Sequence, residues 1–350
     1  MKYVLGIEST AHTFGVAVVD WDGKILSNEK DSYTTESGGM IPIEVRKHHV
    51  EVSDEVYSRA LEVAGIKESA IVAVALSNAP GLAPCLLEGM AFAKRVASRL
   101  DVPIVPINHC IAHLEIGSSV GAKDPVMLYA SGANTQVIAY EAGKYRVFGE
   151  TLDLGVGNFI DTIARYMGLG FPGGPKIMKL AEACKNKDEL IELPYSIKGM
   201  DVAFSGLQTK LKNFLDARKG VPSLGDSSNL DVKTGKKTYT IEELSYSMQE
   251  HVFGMLVEAA ERALAHTGKK ELLLGGGVAC NSRLQEMCRI MCEERGCKLF
   301  VPDFPLLVDN AGMIGYLGLK MFKAGLGEKD LDKIDIAPRE RTDDVEVRWE

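Results

Sequence analysis

One three-strand pattern occurs twice in this chain of 350 residues, and it limits the possible folds more than any other feature. YVLGI (3–7) reads as an apolar strand and ESTAHT (8–13) as a polar turn. FGVAVVD (14–20) reads as a second strand, WDGK (21–24) as a hairpin turn built on Asp-Gly, and ILSNEKD as the start of a third strand. The same grammar returns in VMLYA (126–130), SGANT (131–135), QVIAYE (136–141), AGK (142–144) and YRVFGE (145–150). Each copy passes on into helix and then strand, which favours duplication over two unrelated hairpins. The expectation is an α/β protein of two similar lobes, the first over 1–125 and the second over 126–305. Residues 306–350 would close the cleft between them and return to the first lobe. Both first turns are rich in Gly, Ser or Thr, the chemistry that wraps phosphate with N–H and hydroxyl groups.

Between the two modules, residues 41–65 read as a long amphipathic helix ending at Gly65, with Arg46, His48 and His49 near its start. IVAVALSNAP (71–80) reads as a strand, and Pro80-Gly81 separates it from the next helix. In the second half, glycine-led helices begin within LDLGVGNFIDTIARYMG (152–168) and FPGGPKIMKLAEAC (171–184). A helix start reached through glycine is a ready anion site. ELLLGGGVACNSRL (271–284) sets Gly275, Gly276 and Gly277 at the end of a strand, where open α/β sheets hold ligands, ahead of a helix bearing Asn281. The stretch 216–240 is polar and poor in apolar residues, and is expected to be a mobile surface excursion. Lys210, Lys212, Arg218, Lys219, Lys233, Lys236 and Lys237 make its surroundings locally basic, by default a solvated loop. Seven cysteines, with no leader ahead of the first strand, point to reduced thiols in a cytoplasmic protein. No apolar run reaches membrane-spanning length.

The chemistry centres on HCIAHLE (109–115). VPIVPI (102–107) reads as a short buried strand, and Asn108 stands where it can cap a helix. His109 and His113, four apart, then share one helix face with Cβ atoms about 5–6 Å apart. That spacing suits a shared divalent cation, but the spacing alone is a weak signal and favours a pair of helix histidines without one. Only a third ligand elsewhere decides between the two readings. A zinc-protease reading lacks its general base, because Cys110 stands where that motif needs Glu.

Two facing lobes, each opening on a phosphate-type turn, resemble the actin-like ATPase (ASKHA) fold of sugar kinases, Hsp70 and actin, with a nucleotide and metal cleft between the lobes. Motifs in fixed order narrow this. They are GIESTAHTFG (6–15), RKHH (46–49), HCIAHLE (109–115), LYASGANTQ (128–136), GVGNFIDTIAR (155–165), FPGGP (171–175), GGGVACN (275–281), VDNAGMI (308–314) and RTDDVEVRW (341–349). Together, over nearly the whole chain, they are similar to the universal family of tRNA N6-adenosine threonylcarbamoyltransferases. Ala133-Asn134 and the tail resemble the archaeal and eukaryotic branch, the catalytic subunit of the KEOPS complex.

The resemblance implies one divalent metal, iron or zinc, held by His109, His113 and Asp309, with Tyr129 as a weaker or phenolate-type ligand. It implies that Tyr129, Ala130, Ser131, Gly132, Ala133, Asn134 and Thr135 line the phosphate side of an adenine nucleotide or threonylcarbamoyl-adenylate. Asp161, Gly174 and Asn281 would hold ribose and base, with Gly276 and Gly277 beside them. Glu8, Ser9, Thr10 and His12 would face the same cleft from the first lobe. One departure stands out: the family pattern PGGPxxE reads PGGPKIM here, so no nucleoside contact is carried over to Met178. No residue is assigned as general base.

The implied reaction is acyl transfer. Threonylcarbamoyl-adenylate, supplied by a separate synthase, would give its threonylcarbamoyl group to N6 of adenosine 37 in tRNAs reading ANN codons. A net charge of −8 suits tRNA phosphate poorly, so partner subunits are expected to supply much of the RNA surface. These would be a kinase-like ATPase, a small dimerising subunit and a further accessory subunit. Rivals on the residues alone are a metallopeptidase, a small-molecule kinase and a nucleotide switch. Without the resemblance, the reading reaches only a two-lobed α/β protein that binds nucleotide and metal.

Overall fold

Alternation along the first strand, β1 (Tyr3–Glu8), assigns the two faces of the first sheet. Tyr3, Leu5 and Ile7 enter one core cluster and Val4 another, which leaves Gly6 and Glu8 on the side of Val4. The computed structural model describes residues 1–35, 39–216, 232–234 and 237–349. β2 (Thr13–Asp20) and β3 (Ile25–Ser32) complete an antiparallel meander with β1. The helix α1 (Pro42–Ala64) stops at Gly65, whose φ of 65° is the left-handed conformation that glycine adopts without strain. β4 (Ile71–Ala79), α2 (Ala83–Leu100) and β5 (Ile104–Asn108) follow, giving a five-stranded sheet of order β3-β2-β1-β4-β5. α3 (His109–Glu115) starts directly after β5. The Asn108 side-chain oxygen accepts from the N–H groups of Cys110 and Ile111 at 3.1 and 3.3 Å, the cap that the sequence predicts.

The second half repeats this plan around an insertion. β6 (Val126–Ala130), β7 (Thr135–Glu141) and β8 (Lys144–Glu150) form the meander. Then come α4 (Val156–Tyr166), α5 (Gly174–Ala183), a short pair β9 (Ile197–Lys198) and β10 (Asp201–Val202), and α6 (Ser205–Asp216). A second short pair, β11 (Val232–Thr234) and β12 (Lys237–Tyr239), precedes the long helix α7 (Ile241–Thr267). β13 (Glu271–Gly275), α8 (Ser282–Glu294) and β14 (Lys298–Phe300) complete a sheet of order β14-β13-β6-β7-β8. Most of the excursion expected at 216–240, with Arg218, Lys219 and Lys236 of its basic patch, lies outside the described residues.

The chain ends on α9 (Phe304–Leu307), α10 (Ala311–Lys323) and an extended tail. α10 lies on the first sheet so closely that a Cβ on Gly6 would sit 2.2 Å from the Ala311 carbonyl oxygen. α3 and α10 are packed between the inner faces of the two sheets. Val4, Val105, Ile111, Met313 and Ile314 share one core there with Met127, Tyr129 and Leu273. Each such buried side chain contributes about 1.5–3 kcal/mol. Glu115, at the end of α3, accepts from Tyr145 at 2.6 Å and from the Trp349 indole at 2.7 Å, and pairs with Lys320, so both lobes and the tail meet at one carboxylate. Among the described residues no helix is long and apolar enough to cross a membrane.

Candidate metal centre

β5 ends on the inner side of the first sheet, so α3 projects its first turn into the seam between the lobes. His109 and His113 stack one turn apart there, with ring centroids 4.8 Å apart. The third residue comes from the segment after β14. Asp309 Oδ1 lies 3.3 Å from His109 Nε2 and 3.6 Å from His113 Nε2. The ligating atoms of the three residues fall within 4.8 Å of one another, a set that can hold one divalent ion. This is the third partner that the His-x-x-x-His spacing needed.

The surroundings prepare these donors. His109 Nδ1 donates to Glu8 Oε2 at 2.9 Å, which fixes the ring and turns Nε2 toward Asp309. Glu8 is itself fully buried and held by Thr10, whose hydroxyl and N–H donate to Oε1 at 2.5 and 2.8 Å. Burial works against a charge on His109, but Glu8 and Asp309 outweigh it and hold the imidazole well above its ordinary range. Burial pushes His113 down, towards the neutral ligand form. Burial also opposes charge on Asp309, yet the two histidines hold its carboxyl well below the usual range. His113 is 1% exposed and neither ring nitrogen has a hydrogen-bond partner. A buried polar atom left in this state costs about 1–3 kcal/mol, which a metal bond removes. The donor set therefore fits a bound ion.

Tyr129 faces the same seam from the second lobe. Val126, Leu128 and Ala130 point into the outer core of that lobe, so alternation turns Met127 and Tyr129 inward. Its ring centroid is 5.0 Å from that of His113. Burial, reinforced by Cys110 and Asp309, keeps its phenol well above the ordinary range.

The SGANT turn is docked against α4. The N–H groups of Gly157 and Asn158 donate to the carbonyls of Ser131 and Gly132 at 3.0 and 2.9 Å, and that of Val156 to Thr135 Oγ1 at 2.7 Å. This corrects the expectation of an open anion site at the start of α4, since neighbouring acceptors already fill it. In a trans peptide the N–H opposes the C=O, so the N–H groups of Gly132 and Ala133 point away from α4. The start of α5 is filled from within as well. Asp161 Oδ1 accepts from Gly173 N–H at 2.7 Å, and its carboxylate lies beside the N–H of Gly174. Burial moves the Asp161 carboxyl upward despite those contacts.

The remaining expected residues divide. Thr10 touches the centre, its hydroxyl 3.3 Å from His109 Nδ1. His12 sits edge-on to Phe171, with centroids 5.5 Å apart, within electrostatic reach of Asp161 and Asp309. Ser9 turns away from the seam, because alternation after Glu8 sends its hydroxyl under α2, where a Cβ on Gly89 would meet it at 1.8 Å. The Asn281 oxygen caps α8 through Arg283 and Leu284, and its NH₂ donates to Gln249 at 2.8 Å, leaving one N–H for a ligand. Gly276, at φ 91°, lies so close to the SGANT turn that a Cβ would be 2.4 Å from the Ala130 carbonyl oxygen, while Gly174 and Gly277 have open space above them. Sequence reasoning set Glu8 in the cleft without finding its bond to His109. The parity of β1 was the available signal.

A family profile described as tRNA N6-adenosine threonylcarbamoyltransferase matches residues 24–316. A protein of that description from Thermococcus kodakarensis is 49% identical over 346 residues, 99% of either chain. A probable bifunctional tRNA threonylcarbamoyladenosine biosynthesis protein from Methanosarcina barkeri is 45% identical over 351 residues, covering 99% of this chain and 60% of its own. Among solved structures, the activator of 2-hydroxyisocaproyl-CoA dehydratase from Clostridium difficile aligns at a TM-score of 0.52 and 12% identity, over 96% of this chain and 99% of its own. HypF from T. kodakarensis aligns at a TM-score of 0.57 and 15% identity, over 94% of this chain and 49% of its own. At such identities these two structures speak for the fold alone.

Proposed function

Because the chain belongs to the tRNA N6-adenosine threonylcarbamoyltransferase family, and is a transferase that forms N6-threonylcarbamoyladenosine in tRNA, we propose that His109, His113 and Asp309 are its reaction centre. The donor is L-threonylcarbamoyl-adenylate, from a separate synthase, and the acceptor is N6 of adenosine 37 in tRNAs reading ANN codons. A bond forms between N6 and the carbamoyl carbon. The bond from that carbon to the phosphate oxygen breaks, N6 gives up a proton, and AMP departs. His109, His113 and Asp309, with Tyr129 beside them, would hold an iron or zinc ion, which would supply Lewis-acid polarisation.

The chain's own residues do the rest. Glu8 keeps His109 in the tautomer that offers Nε2. The outward N–H groups of Gly132 and Ala133 receive phosphate, within a turn completed by Ala130, Ser131, Asn134 and Thr135. Asp161, Gly174, Gly276, Gly277 and the spare N–H of Asn281 hold the nucleoside in the cleft between the lobes. A net charge of −8 leaves much of the tRNA surface to KEOPS-type partners, a kinase-like ATPase, a small dimerising subunit and an accessory subunit, in the cytoplasm.

The observation that carries this reading is His113, buried with both ring nitrogens unsatisfied beside His109 and Asp309. The test is transfer of labelled threonine, as its carbamoyl-adenylate, to unmodified ANN-decoding tRNA with purified partners. Wild type should label the tRNA. His109→Ala with His113→Ala, and Asp309→Ala, should lose the label while staying folded by circular dichroism. Equal labelling by these variants would remove the cluster from the reaction.

A further inference from the structure

β3 sends two side chains across to the segment that carries Asp309. Asn28 and Lys30 are two apart on one strand and share a face. Asn28 works as a strut: its oxygen accepts from Gly312 N–H at 3.0 Å and its NH₂ donates to the Pro305 carbonyl at 3.4 Å. Lys30 Nζ donates to the backbone carbonyl of Asp309 at 3.3 Å. An ammonium has three N–H donors, so this one bond leaves two.

Lys30 is half-buried, and among the described residues no carboxylate forms an ion pair with it. Two other lysines removed from solvent show the contrast: Lys320 pairs with Glu115, and the more deeply covered Lys269 with Asp124 and Glu141. Glu8 and the Asp309 side chain are in the neighbourhood, but His109 engages both. Cys280, in the turn 277–280 that leads to Asn281, is also close. A first-lobe cation with no carboxylate ion pair among the described residues therefore stands beside the histidine cluster and within electrostatic reach of Cys280, in the second-lobe turn that borders the nucleotide residues. Taking a charge out of water without a partner is costly, and an incoming anion offsets that cost.

We propose that Lys30 is a phosphate-binding residue of the donor site, its ammonium meeting the phosphate of the adenylate and of the AMP that leaves. This rests on reading the cluster as the reaction centre for an adenylate. The phosphodiester-like phosphate of the mixed anhydride carries one negative charge, and more develops as the carbon–oxygen bond breaks. The contact therefore strengthens along the reaction.

The rival is a brace that only positions Asp309, and calorimetric titration of the full chain separates the two. AMP and adenosine are titrated into wild type, Lys30→Met, Lys30→Arg and Lys30→Gln, with zinc content measured on each. Glutamine can still donate to the Asp309 carbonyl but has no charge. The expected result is a loss of about 10- to 100-fold in AMP affinity for both Met and Gln, with Arg near wild type. Adenosine affinity and zinc content should not change. Recovery of AMP binding by Gln, equal weakening of AMP and adenosine, or loss of zinc would make Lys30 a brace and overturn the proposal. Unchanged AMP affinity in Lys30→Met would overturn it too, with the nucleotide site intact. Wild type that binds neither AMP nor adenosine would instead sink the nucleotide reading on which it rests.

Discussion

The first strand of each lobe ends on its inner face with a different side chain, Glu8 in β1 and Tyr129 in β6. Glu8 holds His109 at 2.9 Å, and Tyr129 stands 5.0 Å, centroid to centroid, from His113. The equivalence continues around the sheets. After the fifth strand, β5 delivers His109 and His113, while β14 leads through α9 to Asp309. After the fourth, Gly81 and Gly276 press on the first turn of their own lobes, so that a Cβ would lie 2.6 Å from the Thr10 carbonyl oxygen and 2.4 Å from that of Ala130. The frame is thus repeated down to single contacts, while the chemistry has been divided. The first lobe supplies imidazoles and a buried carboxylate. The second supplies a phenol and backbone N–H groups, and the segment after it, which returns to the first sheet, supplies the last ligand. The cluster lies on the seam, and neither lobe holds it alone.

Asp309→Ala breaks the comparison most severely, since it removes the only carboxylate of the three-residue set, supplied by the segment that returns to the first sheet. Metal affinity should fall by about 10³-fold or more, because an open two-histidine site remains and His109 loses one of its two acceptors. Zinc content after dialysis against a weak chelator measures it, and retention near wild type would show that the C-terminal segment supplies no essential ligand. The two glycines rank next. Gly276→Ala meets backbone and strains a positive φ, and should cost about 2–4 kcal/mol. Gly81→Ala meets the equivalent carbonyl without that strain and should cost about 1–3 kcal/mol. Urea unfolding of both variants tests this, and a larger loss at Gly81 would break the equivalence. The first-strand pair comes third. Glu8→Gln should lower metal affinity about 10- to 100-fold as the orienting carboxylate is lost. Tyr129→Phe keeps the packing and should stay under about tenfold. Equal losses would raise Tyr129 to a full ligand.

What was legible in the sequence was local or periodic. Asn108 could be read as a cap and Gly65 as a stop because both act within one helical turn. The two meanders could be read because a period of two survives without tertiary contact. The His109 and His113 pair was visible as a helix face, but its third ligand was not. Asp309 reaches the pair only through the return of α10 to the first sheet, and the family resemblance rather than the spacing pointed to it. The glycine-led helix starts misled for the converse reason: a sequence shows the free N–H groups of α4 and α5 but not that Ser131, Gly132, Thr135 and Asp161 fold back to fill them. Lys30 was passed over as one polar residue in a hairpin strand, since nothing local tells that its face turns toward the seam.

The smallest effect is a pH dependence, and it separates the two histidines. In the metal-free chain Glu8 and Asp309 overcome burial and hold the folded-state pKa of His109 well above its ordinary 6.5. A raised folded-state value gives stability that is fully present below the unfolded value and is lost as pH rises through the folded one. His113 is lowered by burial, so it has the opposite sign and penalises the folded chain as pH falls below 6.5. A metal must displace the proton on His109 Nε2, so its binding releases a proton and tightens with pH. The gap in Tm between zinc-loaded and metal-free protein should therefore widen as pH rises from about 6 to about 9, because the metal-free chain loses the His109 term while the loaded one gains affinity. Thermal melts with and without zinc across that range measure the gap, and a constant or narrowing one would mean that His109 does not exchange a proton for the ion. Glu8→Gln should flatten the trend, since it removes a first-lobe carboxylate that raises His109. Tyr129→Phe, across the seam, should leave it unchanged.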